Sequence, residues 1–114
     1  MSTEIHVIDG PNGRRIYLGK AFPSIYLTVR EAEIAQLMDD FKYREIAKLM
    51  KISRRTAEYY ASNMKKKLSC ETKRQMIYVL KETGILEKLK SVVDITYLFE
   101  SGDDKNNNGS KPAS

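Results

Sequence analysis

Arg54 and Arg55 stand at the start of a segment, Ile52–Leu68, in which Ala57, Tyr60, Ala61, Met64 and Leu68 recur at spacings of three and four. That period predicts one amphipathic helix over about Arg54–Leu68, with Ser53 as its N-cap. Cations in a first turn oppose the helix macrodipole, at about 0.3–1 kcal/mol each at low salt. A helix end that meets a phosphate has the opposite need, because its amides and its guanidinium groups both favour an anion. The chemistry on offer is phosphodiester binding, with solvated arginines as the competing reading. The exposed face of the same helix holds Arg54, Arg55, Glu58, Tyr59, Ser62, Lys65 and Lys66. Lys65, Lys66 and Lys67 also suit a last helical turn on dipole grounds alone.

The charge balance agrees with a polyanion partner. The net charge is +5, yet residues 42–90 carry 14 Lys or Arg against 5 Asp or Glu, so the remainder of the chain is at −4. A basic middle between acidic flanks favours nucleic acid over a neutral partner. Enzyme chemistry finds little support. There is one His, one Cys, no cluster of acids at ligand spacing and no phosphate loop, so no catalytic constellation, metal site or cofactor is expected. His6, alone in a strand-like stretch, reads as structural or solvated.

The elements around the helix follow from caps and periodicity. EIHVIDGPNGRRIYLG alternates about a GPNG turn and predicts a β-hairpin with strands near Ile5–Ile8 and Arg15–Leu18. Such a hairpin must pack on something to be stable, and Pro23 breaks the chain after it. In SIYLTVREAEIAQLMDD, Thr28 and Glu31 form a capping-box signature, with Tyr26 or Leu27 placed as a staple. A helix over about Val29–Asp39 follows, lined by Ile34, Leu37 and Met38, with Phe41 continuing the same face. YREIAKLM predicts a short helix over Tyr43–Met50, with Ala47 small enough for a close crossing. Lys51 and Ile52 make a tight turn into Ser53. Helix, three-residue turn and longer helix make a helix-turn-helix. Thr72 and Gln75 cap a fourth helix over about Lys73–Thr83, and Gly84 suits the position after it. Met38, Met50, Met64 and Met76 read as core, as does Tyr60, while Tyr59 is more exposed. Cys70 packs beside the turn before the fourth helix. In LEKLKSVVDITYLFE, Leu86, Leu89 and Val93 fit a helix, whereas Val93, Ile95, Tyr97 and Phe99 fit a strand. Period alone leaves both open.

The blocks YLTVREAEIAQLM, REIAKLMKISRRTAEYYASNMKKKL and SCETKRQMIYVL together resemble the LuxR-type, or GerE-like, DNA-binding domain over about Tyr26–Leu86. Its LTxRE, EIA, xxLxIS and xxT patterns fall in order at matching spacing. The resemblance implies a mainly α, four-helix bacterial regulatory domain that binds double-stranded DNA as a homodimer. The third helix would read the major groove and the fourth would support dimerisation. By position, Glu58, Tyr59 and Ser62 match base-facing sites. Ser53, Arg55 and Thr56 match phosphate contacts at the helix start, and Arg44 matches a basic site in the second helix; Arg54, Lys65 and Lys66 join the phosphate set. Ile77, Leu80, Lys81, Leu89 and Val93 are the dimer candidates, with Phe99 extending that surface. The sequence departs from the family at three places. DDFK has no glycine between the first two helices, Ala57 stands where valine is common, and Glu58 stands where lysine is frequent. A glutamate there can accept from a cytosine or adenine amino group.

The expected organisation is a hairpin extension over 1–25, the helix-turn-helix domain over 26–86, an amphipathic segment over 87–100 and a disordered tail over 101–114. No apolar run reaches the ~18 residues of a membrane span, and MSTEIHVID has neither the basic nor the apolar region of a secretory signal. With a single cysteine, no intrachain disulfide forms. The expectation is a reducing cytoplasm. The alternative function is an interaction protein of the same fold, a sigma-like adaptor that binds RNA polymerase or another regulator.

Overall fold

The computed structural model describes residues 4–100. The expected tail over 101–114 lies outside the described residues. The order of elements is β1 (His6–Gly10), β2 (Gly13–Tyr17), β3 (Tyr26–Thr28), α1 (Val29–Leu37), α2 (Tyr43–Met50), α3 (Arg54–Leu68), α4 (Lys73–Glu82), α5 (Ile85–Val92) and α6 (Thr96–Glu100).

The hairpin forms, with Gly10 opposite Gly13 and only Pro11 and Asn12 between them. Pro11 sets φ for the first turn position, and Gly13 leaves the turn at φ +110°. A third strand, not expected from the sequence, adds to it. Tyr26–Thr28 pairs antiparallel with β2, matching Ile16 to Leu27. Ile16, Leu18 and Leu27 are all fully buried. The hairpin is therefore joined to the helical core through β2, which answers its need for packing. Gly19 serves this junction. Its φ is +85°, and a Cβ there would lie 2.2 Å from the Glu4 carbonyl oxygen, so no other residue fits.

The helix caps act as their residue types require. The Glu31 amide donates to Thr28 Oγ1 at 3.2 Å, and the Thr28 amide donates to the Glu31 carboxylate at 2.9 Å. Thr72 and Gln75 repeat the arrangement at α4, where the Gln75 amide donates to Thr72 Oγ1 at 3.0 Å. α1 ends at Leu37, short of the expected Asp39, because Asp40 and Phe41 both turn their amides back to the Leu37 carbonyl.

The count of four helices is corrected to six among the described residues. Gly84, at φ +79°, follows α4 and at the same time caps α5, so only Thr83 and Gly84 separate the two helices. The helical reading of 85–92 wins because Ile85, Leu86 and Leu89 all reach the core. The boundary expected between 86 and 87 therefore falls inside a helix. The strand reading of Val93–Phe99 fails at Asp94, whose carboxylate accepts from the Thr96 amide at 3.0 Å and starts α6. Gln36 of α1 ties this end down, donating to the Val93 carbonyl at 2.8 Å.

Candidate nucleic-acid interface

The relation of α2 to α3 is set by one residue in an unusual conformation. Lys51 adopts φ +59°, ψ +43°, the left-handed region. Its amide donates to the Lys48 carbonyl and the Ile52 amide donates to the Ala47 carbonyl at 3.0 Å. That pair of bonds closes α2 with a Schellman-type stop. Ile52 packs against the core, and Ala47 is buried at the crossing. Ser53 then begins α3, accepting from the Thr56 amide at 3.0 Å. The tight turn and cap inferred from the sequence stand in this geometry.

Within α3, Ala57, Ala61, Met64 and Leu68 face inward. The opposite face is exposed and carries Arg55, Tyr59, Ser62 and Lys66 along its middle, with Arg54 and Glu58 at one side. Tyr59 is 62% exposed, a large apolar ring left in solvent. Tyr60, expected in the core, is half-buried, and its ring centroid lies 6.0 Å from that of Tyr59.

The charges on this face differ in availability. Arg54 donates to Glu58 at 3.0 Å, one turn apart, so each neutralises the other. Among the described residues, no carboxylate pairs with Arg44, Arg55, Lys65 or Lys66. The hydroxyls of Ser53 and Thr56 hold each other at 2.9 Å beside the open end of α3. Lys67, grouped with its neighbours in the sequence, turns to the other flank. Its ammonium donates to Glu31 at 2.8 Å and sits 4.4 Å from the centre of the Tyr26 ring. At the α2 side, Tyr43 has its hydroxyl pKa raised, first by burial and then by the charge of Glu58. Lys73, which donates to the Phe41 carbonyl at 2.8 Å, has its pKa lowered by burial.

The dimer candidates divide. Leu80 and Leu89 are fully buried and Val93 is 6% exposed, so their side chains serve the core of this chain and offer no surface to a second copy. Ile77 is half-buried, and Lys81 is exposed but paired with Asp39. The exposed large ring on α4 is Tyr78, which the sequence pattern did not single out. Its position four residues after Arg74, on the side away from Met76 and Leu80, is the signal that marks it. Phe99 is partly exposed and lies against Phe41, with ring centroids 6.0 Å apart.

Among the described residues, no group of three or more His, Cys, Asp or Glu side chains is arranged to hold a metal ion. No helix among them is long and apolar enough to cross a membrane.

Residues 26–80 match the family model GerE, described as bacterial regulatory proteins of the luxR family. The resemblance carried by the LTxRE and EIA blocks is thus shown from β3 through α4, over a domain of the DNA-binding regulatory kind. No curated protein and no solved structure matches the chain.

Proposed function

We propose that the chain is a sequence-specific, double-stranded DNA-binding transcription regulator that lays α3 in the major groove and acts as a homodimer. The observation that carries this reading is the exposed face of α3. It presents Arg55, Tyr59, Ser62 and Lys66 outward, with no acid of the described residues pairing either cation. Arg55, Arg44, Lys65 and Lys66, with the Ser53 and Thr56 end of the helix, contact phosphates and set register. Tyr59 and Ser62 meet base edges, and Glu58 accepts from a base amino group when it leaves Arg54. Arg54 is then free to reach the backbone. α4 carries the contact between copies through Tyr78, Ile77 and the outer turn at Lys81.

The test is selection of bound duplexes from a random pool, then affinity for the selected sequence across a salt series. With about 6 phosphates neutralised by two copies, log K falls against log salt with a slope near −5. Selection of an inverted repeat supports the reading. A pool that shows no enrichment rejects it and favours the alternative, an adaptor on RNA polymerase or another regulator.

A further inference from the structure

The small sheet has two faces of different character, and strand register decides which residues share each. Ile16 of β2 lies opposite Leu27 of β3, and both point into the core. Their neighbours Arg15 and Tyr17, opposite Thr28 and Tyr26, therefore occupy the outer face. The rings of Tyr17 and Tyr26 are 5.5 Å apart. The Arg15 guanidinium lies 4.7 Å from the centre of the Tyr26 ring.

The same Tyr26 ring receives the Lys67 ammonium from the last turn of α3, at 4.4 Å. One aromatic plate thus joins the outer face of the sheet to the flank of the helix proposed to read DNA. The two cations on it are not equivalent. Lys67 is held by Glu31 at 2.8 Å, whereas among the described residues no carboxylate pairs with Arg15. Register also separates Arg15 from its neighbour. Arg14 lies on the other face, opposite Asp9, and is paired with it at 2.8 Å. Of two adjacent arginines, one is neutralised, and the other is exposed beside the Tyr26 ring with the Tyr17 side chain as its neighbour and no carboxylate on it among the described residues.

We propose that the outer face of the β2–β3 sheet is a second DNA-backbone contact, in which Arg15 pairs with a phosphate outside the reach of α3. This rests on the reading of α3 as the DNA-binding helix. A guanidinium suits this role because its planar fork matches a phosphate through two parallel hydrogen bonds. α3 covers about 22 Å along its axis at 1.5 Å per residue. A contact beyond its last turn lengthens the footprint of each copy. It adds affinity and position without adding base readout.

The experiment measures duplex affinity of the full chain across a salt series for the wild type, Arg15→Gln, Arg15→Lys and Arg14→Gln, with thermal unfolding of each. Arg15→Gln is expected to make the log–log salt slope shallower by about 0.9 per copy and to weaken binding about fivefold per copy at ~0.15 M salt. Arg15→Lys is expected to keep the wild-type slope, and so is Arg14→Gln. Ethylation interference is expected to lose its outermost phosphate in Arg15→Gln alone. A wild-type protein that binds duplex with the slope of α3, and an Arg15→Gln protein that matches it, would overturn the sheet contact and leave the α3 reading intact. A wild-type protein with no duplex binding would reject the α3 reading and the sheet contact together. If Arg15→Gln unfolds, ethylation interference on the wild-type protein decides, and a footprint with no phosphate outside the reach of α3 overturns the proposal.

Discussion

The Lys67 ammonium reaches back from the last turn of α3 to the Glu31 carboxylate at 2.8 Å, and Glu31 itself is only 2% exposed. The same carboxylate accepts from the Thr28 amide. One buried acid therefore caps α1 and fixes the far end of α3 against it. Breaking a buried pair by removing one partner costs more than the pair is worth, because a charge is left without compensation. Lys67 is partly exposed, so solvent screening reduces that cost. Lys67→Met is expected to destabilise the fold by about 2 kcal/mol. Glu31→Ala, which also loses the cap, is expected to cost about 3 kcal/mol. Urea denaturation measures both, and equal stability of Lys67→Met and wild type would show that the pair contributes nothing.

Lys51 and Ser69 hold left-handed backbone at φ +59° and +56° in the stops of α2 and α3. A Cβ is disfavoured there, and glycine is not. Lys51→Gly is expected to stabilise the protein by about 1 kcal/mol, raising Tm by about 4–8 °C at this size. Lys51→Val is expected to move Tm in the opposite direction. A glycine variant that melts lower than wild type would mean that the lysine side chain itself stabilises the turn.

The parts of this fold that were legible in the sequence are local. Thr28 with Glu31, Ser53 with Thr56, and Thr72 with Gln75 act over three residues, and each signals its helix start in a short window. The inward stripe of α3 was equally readable from period, and Met38, Met50, Met64 and Met76 are all buried as expected. What escaped depends on distant partners. β3 is three residues long and exists because β2 lies beside it. The strand-like alternation of Val93–Phe99 gave way to Gln36, 57 positions upstream, and to the local Asp94 turn. Leu80, Leu89 and Val93 looked available for a second copy because nothing in the local pattern shows that α5 folds back on α1. Lys67 looked like one more exposed lysine because Glu31 is 36 residues away.

Asp94 has its pKa lowered, first by the hydrogen bond from the Thr96 amide and then by the Thr96 hydroxyl. A depressed carboxylate stabilises the fold above its unfolded pKa of about 3.9, and that contribution is lost as pH falls through the lower folded value. α6 is expected to fray in acid below about pH 4. Thr96→Val is expected to move the Asp94 titration up toward the ordinary range, read from its side-chain carboxyl shift by NMR. An unchanged titration in that variant would remove the hydroxyl from the account.

Glu58 and Arg54 restrain each other across one turn of α3. Replacing the acid should release the arginine and remove a repulsion from phosphate. Glu58→Gln is expected to tighten binding to random duplex about fivefold per copy at ~0.15 M salt, with a slope steeper by about 0.9 per copy. Discrimination between the selected site and random DNA is expected to fall at the same time. Unchanged affinity on both duplexes would indicate that Glu58 faces solvent in the complex.

Tyr59, Ser62 and Lys66 share one exposed face, yet their chemistries separate their expected effects. A phenol ring and a hydroxyl can distinguish base edges, whereas an ammonium acts on phosphate as a point charge. Tyr59→Ala and Ser62→Ala are expected to change the selected sequence, each costing about 1–3 kcal/mol on the preferred site and little on random duplex. Lys66→Ala is expected to weaken selected and random DNA alike and to flatten the salt slope by about 0.9 per copy. Parallel titrations of each variant on both duplexes read the difference directly. If all three lose equally on both, α3 binds through charge and shape, and sequence reading must lie elsewhere on the chain.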